Sequence, residues 1–318
     1  MSTKKRKITT AIAAAALTAS VWCTGGVSAS PAVIQAPGSS IRTDMQTTAY
    51  QGRIGMPLSD LAKAIGAELK WKPAAGTLTL RKWNRTYTFK IGSREYDDGM
   101  NAGQKPMLLE PVRSIGGRAY IEATFLRVMG YQVDYRGGTL TVAPPLGKQL
   151  QETLYRGDLS QARKAVMRIA SNGQLLRYEH EPLETKAGET SDEIFLFPQG
   201  EALRFYMMYG DTVSLVRFED GFPVVKAQAH IIEGDGAFKQ LFGGRATGAN
   251  GKFPRIDKPF LTYASHIFGE STSLSSGRVE PDGTYTSLGS EYWFGGQVDK
   301  SRGKITYTLD GEKRTDQR

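Results

Sequence analysis

The chain has 318 residues, 41 Lys+Arg against 32 Asp+Glu, 40% hydrophobic residues and a single cysteine. That length suggests about two domains, and the apolar share excludes wholesale disorder. One cysteine excludes a disulfide framework and any four-cysteine zinc or iron–sulfur site; three histidines leave little for a histidine-rich metal centre.

Lys4, Lys5, Arg6 and Lys7 open the chain, and an alanine-rich apolar stretch runs from Ile8 to about Trp22. Val27-Ser28-Ala29 follows as a small-residue site. This order predicts a secretory signal peptide over residues 1–29, with a retained N-terminal anchor as the alternative. Cys23 is not expected to be lipidated, because the bulky Trp22 precedes it. Cleavage after Ala29 would leave a mature chain without cysteine, as suits export.

Export changes the meaning of the +9 formal charge. The four basic residues of the leader would be lost. Residues 30–147 carry 15 Lys+Arg and 9 Asp+Glu, and residues 148–318 carry 22 and 23. The mature excess therefore sits in the first half. Nucleic acid is not the expected partner of an exported chain. Anionic wall polymer, another envelope protein or lipid headgroups fit better, and a solvated basic face without a dedicated partner is the plainer alternative.

Residues 30–50 read as a Pro/Gly/Ser-containing linker. A domain is expected over 51–145, and it contains an internal repeat. Gly52-Arg53 leads into "MPLSDLAKAIGAELKW" and "GTLTL"; later come "GGRAYIEATFLRVMGYQVDY" and "GGTLTV". Leu61 aligns with Phe125, Ile65 with Met129, Gly66 with Gly130, Leu69 with Val133 and Trp71 with Tyr135. Each copy reads as strand, helix of about ten residues, glycine stop and hairpin. Pro57 suits the first turn of the first helix. Ile121-Glu122 weakens the helix start in the second copy. Between the copies, Tyr87, Phe89 and Ile91 alternate as a further strand.

This repeat resembles the copper amine oxidase N-terminal-like domain, or stalk domain. The resemblance implies an α+β accessory domain, common in secreted and surface proteins of spore-forming Gram-positive bacteria. It does not imply oxidase activity. The catalytic domain of those enzymes needs an Asn-Tyr-Asp/Glu tyrosine and a His-x-His pair, and this chain has neither.

Residues 148–318 read as a helical segment followed by a mostly antiparallel β domain, which makes the whole chain α+β. Residues 148–172 predict one or two helices, with Asp158 or Ser160 as a cap. Residues 179–193 read as an acidic loop. Strands are expected at 194–197, 203–209, 213–218 and 224–232, with Asp220-Gly221 as a hairpin turn. More are expected around 284–286, 292–294 and 305–309, and a long glycine-rich loop over 243–259.

No catalytic motif emerges. His180 lies between Glu179 and Glu181 and reads as a solvated loop residue. His230 alternates with apolar neighbours as a sheet residue. Ser265-His266 puts a serine beside a histidine, but a nucleophile and its base meet in space rather than in sequence. Gly243–Lys252 lacks the phosphate-loop order. No cofactor or metal site is expected. Trp71, Arg81, Lys82, Trp83 and Arg85 form the candidate glycan or polyanion contact. The expected function is a secreted or wall-associated non-catalytic interaction protein. The alternative is an extracellular enzyme acting on wall polymer through paired carboxylates of the second half.

Overall fold

The computed structural model describes residues 29–47, 53–100, 103, 105–186, 191–231 and 236–317. The expected leader up to residue 28, with Cys23, lies outside the described residues.

The chain opens with a hairpin of β1 (Ala29–Ala36) and β2 (Ser39–Thr47). β3 (Ile54–Pro57) runs into α1 (Leu58–Ala64). β4 (Glu68–Lys72), β5 (Thr77–Lys82), β6 (Arg85–Lys90) and β7 (Tyr96–Asp97) form a four-stranded antiparallel sheet in that order. β8 (Arg113–Ile115) and β9 (Arg118–Glu122) lead to a 3-10 helix at Ala123–Arg127, then β10 (Gln132–Arg136) and β11 (Thr139–Ala143). A seven-stranded sheet has the order β10-β11-β1-β2-β3-β9-β8. Its β1–β11 pairing is parallel.

Residues 30–50 are therefore not simply a linker: up to Thr47 they supply two strands of the main sheet. Ala32, Ile34, Thr43 and Met45 bury on its inner side. The apolar alternation is short and mixed with threonine, and β1 gains its second neighbour, β11, from about a hundred residues away. Neither feature is visible locally.

The repeat aligns in space as it does in sequence. Leu69 pairs with Leu80 and Trp71 with Leu78 in the first copy; Val133 pairs with Val142 and Tyr135 with Leu140 in the second. Gly66 and Gly130 both take left-handed backbone, at φ 62° and 92°, where a side chain would be strained. The helix differs between copies. Pro57 stands at the N-cap of α1, whereas the second copy forms only the 3-10 helix, as its weaker start suggests. Phe125 from that turn packs edge-on against Tyr87, Phe89 and Tyr96. Such aromatic contacts hold the two sheets on one core.

The second half begins with α2 (Lys148–Arg156) and α3 (Leu159–Ala170). The Asp158 carboxylate accepts the Gln161 N–H at 2.8 Å and caps α3. There follow β12 (Arg177–Tyr178), β13 (Ser191–Pro198), β14 (Arg204–Tyr209), β15 (Thr212–Glu219), β16 (Phe222–His230), α4 (Ala237–Phe242) and β17 (Thr247–Gly251). β18 (Phe260–Phe268), β19 (Ser271–Val279), β20 (Tyr285–Phe294) and β21 (Gln297–Arg302) complete a ten-stranded sheet. Its order is β12-β16-β15-β14-β13-β18-β19-β20-β21, with β17 also on β16. Phe195, Phe197 and Phe205 face α2 and α3, while Leu196, Tyr206 and Phe260 face α4.

Three expectations for this half change. The glycine-rich loop contains β17, paired to β16. β18 and β19, two of the longest strands, were not anticipated; Ser271-Thr272-Ser273 and Ser275-Ser276-Gly277 give β19 little apolar alternation. Ile305–Leu309 is not a strand. It crosses α3, with Tyr307 stacked on Tyr263 and the Lys164 ammonium over the Tyr307 ring.

That crossing is fixed by Arg163, whose side chain is fully buried. Its guanidinium donates to the Glu201, Tyr307 and Pro198 carbonyls and to both oxygens of Glu312. Glu312, also fully buried, accepts the Gly200 and Leu309 N–H groups as well. All five guanidinium donors are thus used. Removing one partner strands a buried charge. Arg163→Met is expected to cost about 3–5 kcal/mol, read as a lower urea midpoint. The double variant Arg163→Met/Glu312→Leu should recover much of that loss.

Candidate functional site

The outer face of the four-stranded sheet is polar, with more basic than acidic side chains. Strand alternation puts Leu78, Leu80, Tyr87 and Phe89 inward and their neighbours outward. Cross-strand register sets three outward rows: Lys72, Thr77 and Lys90; Lys70, Thr79, Thr88 and Asp97; Glu68, Arg81 and Thr86. Lys70 Nζ lies 2.9 Å from Glu68 Oε1 and holds that carboxyl below its ordinary range. Lys72 and Lys90, at the ends of the first row, have no ion-pair partner among the described residues. With strands about 4.8 Å apart, these rows form a hydroxyl-bearing surface on which basic side chains outnumber acidic ones.

The five candidate residues do not come together on this face. Arg81 lies on it. Trp71 shares the inner side of β4 with Leu69 and is 45% exposed. Lys82, Trp83 and Arg85 sit at the β5–β6 hairpin end, which is turned into the joint between the two halves. Lys82 is 8% exposed; its ammonium donates to the Ile65 carbonyl and lies 3.2 Å from Asp220 Oδ2. Trp83 packs on Phe222 at 5.2 Å and Tyr131 at 6.5 Å, and the Arg177 guanidinium lies over both Trp83 and Phe222. Burial lowers the Arg177 pKa and raises that of the Tyr131 phenol. The Asn84 N–H donates to Tyr178 O at 2.7 Å. Arg85 turns to Met100. Lys70, Lys72 and Lys90 take the place of these residues. Their signal was period-two spacing opposite half-buried Leu69 and buried Leu78 and Phe89.

The histidines are separate. His180 is exposed. His230 Nδ1 lies 3.2 Å from Asp211 Oδ2, and His266 Nδ1 lies 2.9 Å from Asp192 Oδ1. Among the described residues, no group of three or more His, Cys, Asp or Glu side chains could hold a metal ion. Ser265 and His266 occupy opposite faces of β18.

Among the carboxylates, burial raises the pKa of Glu193, which accepts the Ser171 hydroxyl at 2.7 Å. Glu291 is its counterpart on the same sheet face, reached through Ser265 and Leu274. Three ladder steps separate their backbones, about 14 Å, and both carboxylates act electrostatically on the Tyr263 phenol. The open groove of about 1230 Å³ between β10–β11 and α2 holds Asp134, Glu152 and Asp220. Each already faces a cation: Arg136, Arg156 and Lys82.

The first domain is thus a twofold strand–helix–hairpin repeat on two sheets. Residues 35–143 match the family model of the copper amine oxidase N-terminal domain, so this part of the chain is a domain of that family, a non-catalytic stalk-type domain. The match begins inside β1, earlier than residue 51. No curated protein matches the chain.

Glu193 offers a pH test. Because its folded pKa lies above the unfolded value, the native state binds more protons between the two, and stability falls as pH rises through that window. Glu193→Gln keeps the Ser171 contact without the charge. Thermal melts should show it more stable than wild type at pH 8, with the gap closing towards pH 4.

Proposed function

We propose that the chain is a secreted, envelope-associated interaction protein whose first domain holds an anionic polymer against the outer face of its small sheet. The row of Lys72, Thr77 and Lys90 beside Lys70 and Arg81 carries this reading. The basic excess of residues 30–147 and the signal-like N-terminus support it. The prior pairing of the groove carboxylates favours binding over carboxylate catalysis. No described helix is long and apolar enough to cross a membrane.

Pull-down of the full chain on purified Gram-positive cell wall tests the reading. Retention is expected at low salt and is lost as salt rises, because surface charges are screened. Lys72→Gln/Lys90→Gln should weaken it roughly thirtyfold, at about 1 kcal/mol per lysine near a polyanionic surface. Lack of retention at low salt, or retention indifferent to both substitutions, sinks the assignment.

A further inference from the structure

The second half holds a cavity of about 640 Å³ between α4 and the sheet face of β13, β14, β18 and β19. That volume lies within the ordinary range of small-molecule sites. Its floor and one wall are apolar: Ile194, Met208, Ala264, Ile231 and Phe238. Hydrogen-bonding groups gather on the other side, from Thr262, His266 and Ser275, with Asp192 beside His266. The Thr262 and Ser275 side chains have no hydrogen-bond partner among the described residues.

The walls are built rather than incidental. The β19–β20 turn packs so closely on α4 that a Cβ at Gly283, at φ 86°, would lie 2.6 Å from the Lys239 backbone. Tyr285 stacks on Phe238 with centroids 5.9 Å apart and extends the aromatic wall. Lys239 stands at the rim, exposed, with Asp282 within electrostatic reach. The one carboxylate lining the cavity, Asp192, already lies at ion-pair distance from His266 Nδ1. What remains for a ligand is an apolar floor, two hydroxyls, the free side of an imidazole and a cationic rim.

We propose that this cavity binds a small amphiphilic acid, with an aromatic or acyl body on the Ile194–Met208–Phe238 surface and one anionic head towards His266, Ser275 and Thr262. The site is independent of the polymer face, which lies in the other domain.

Two dyes of like size separate body from head: anionic 8-anilinonaphthalene-1-sulfonate and neutral N-phenyl-1-naphthylamine, titrated by fluorescence into the full chain. Saturable one-site enhancement is expected with both. Ala264→Trp and Ser275→Phe each fill the cavity and should weaken both dyes at least tenfold, with near-ultraviolet circular dichroism confirming the fold. Ser275 is only half-buried, so its variant stands if Ala264→Trp fails to fold. His266→Ala should weaken the sulfonate three- to tenfold and the neutral dye less than twofold. Phe294→Ser, on the exposed aromatic end of β20, should change neither. Absence of saturable binding, or binding unmoved by cavity filling, overturns the site. Equal loss of both dyes in His266→Ala overturns the anionic head.

Discussion

The second domain depends on one buried charge. An arginine with every N–H satisfied can replace its hydration shell with protein, and Arg163 does so with three carbonyls and a bidentate carboxylate. Its partners come from the Pro198–Glu201 turn and from residues 307–312, so a single side chain on α3 fixes both segments. The tail beyond is held in the same manner. Arg314 donates to the Leu154 and Gly157 carbonyls at the end of α2, and Asp316 accepts the Ala202 and Leu203 N–H groups. The helices are thereby clamped to one sheet face. The opposite face is left to α4 and the cavity.

The joint works differently. It closes by insertion of an aromatic hairpin end: Trp83, at φ 55°, meets Phe222, the first residue of β16. Phe222 and Val224 belong to the same buried cluster as the first domain's core, so the two halves share apolar burial as well as an ion pair. Lys82 shows why charge alone misleads. Its stem is buried by strand position, and its ammonium is spent on the Ile65 carbonyl and Asp220. Near the joint, basic residues serve the architecture. Away from it, on the outward side of β4–β6, Lys72 and Lys90 have no ion-pair partner among the described residues.

The same distinction separates what was legible in the sequence from what was not. The repeat was legible because both copies keep one period: Leu69/Leu80 and Val133/Val142 pair as their alignment demands, and the glycines recur where the helix must end. Asp158 announced its helix by chemistry alone. β1 and β2 were hidden because their stability comes from pairing with β11 and from four modestly apolar positions, a tertiary effect without a local signature. β19 was hidden because serine and threonine fill most of its positions. Arg81 to Arg85 looked like one basic–aromatic run, yet strand alternation sends Arg81 to one surface and Lys82 to the other, and the turn at Trp83-Asn84 carries the end of the run into the joint. Local composition named the right sheet and the wrong end of it.

The two proposed binding regions also differ in the physics they can use. The polar face of β4–β6 is open, so its attractions are screened and additive; affinity there grows with the number of charges engaged, which suits a polymer. The cavity beside α4 is concave, with an apolar floor and a few polar groups on one side, so fit decides, which suits a small molecule. The joint through Trp83 and Phe222 couples these unlike surfaces into one body. On the two proposals together, a chain that gripped a polyanion with one domain and held a small ligand in the other would need such a joint to keep the second site presented at a fixed distance from the first.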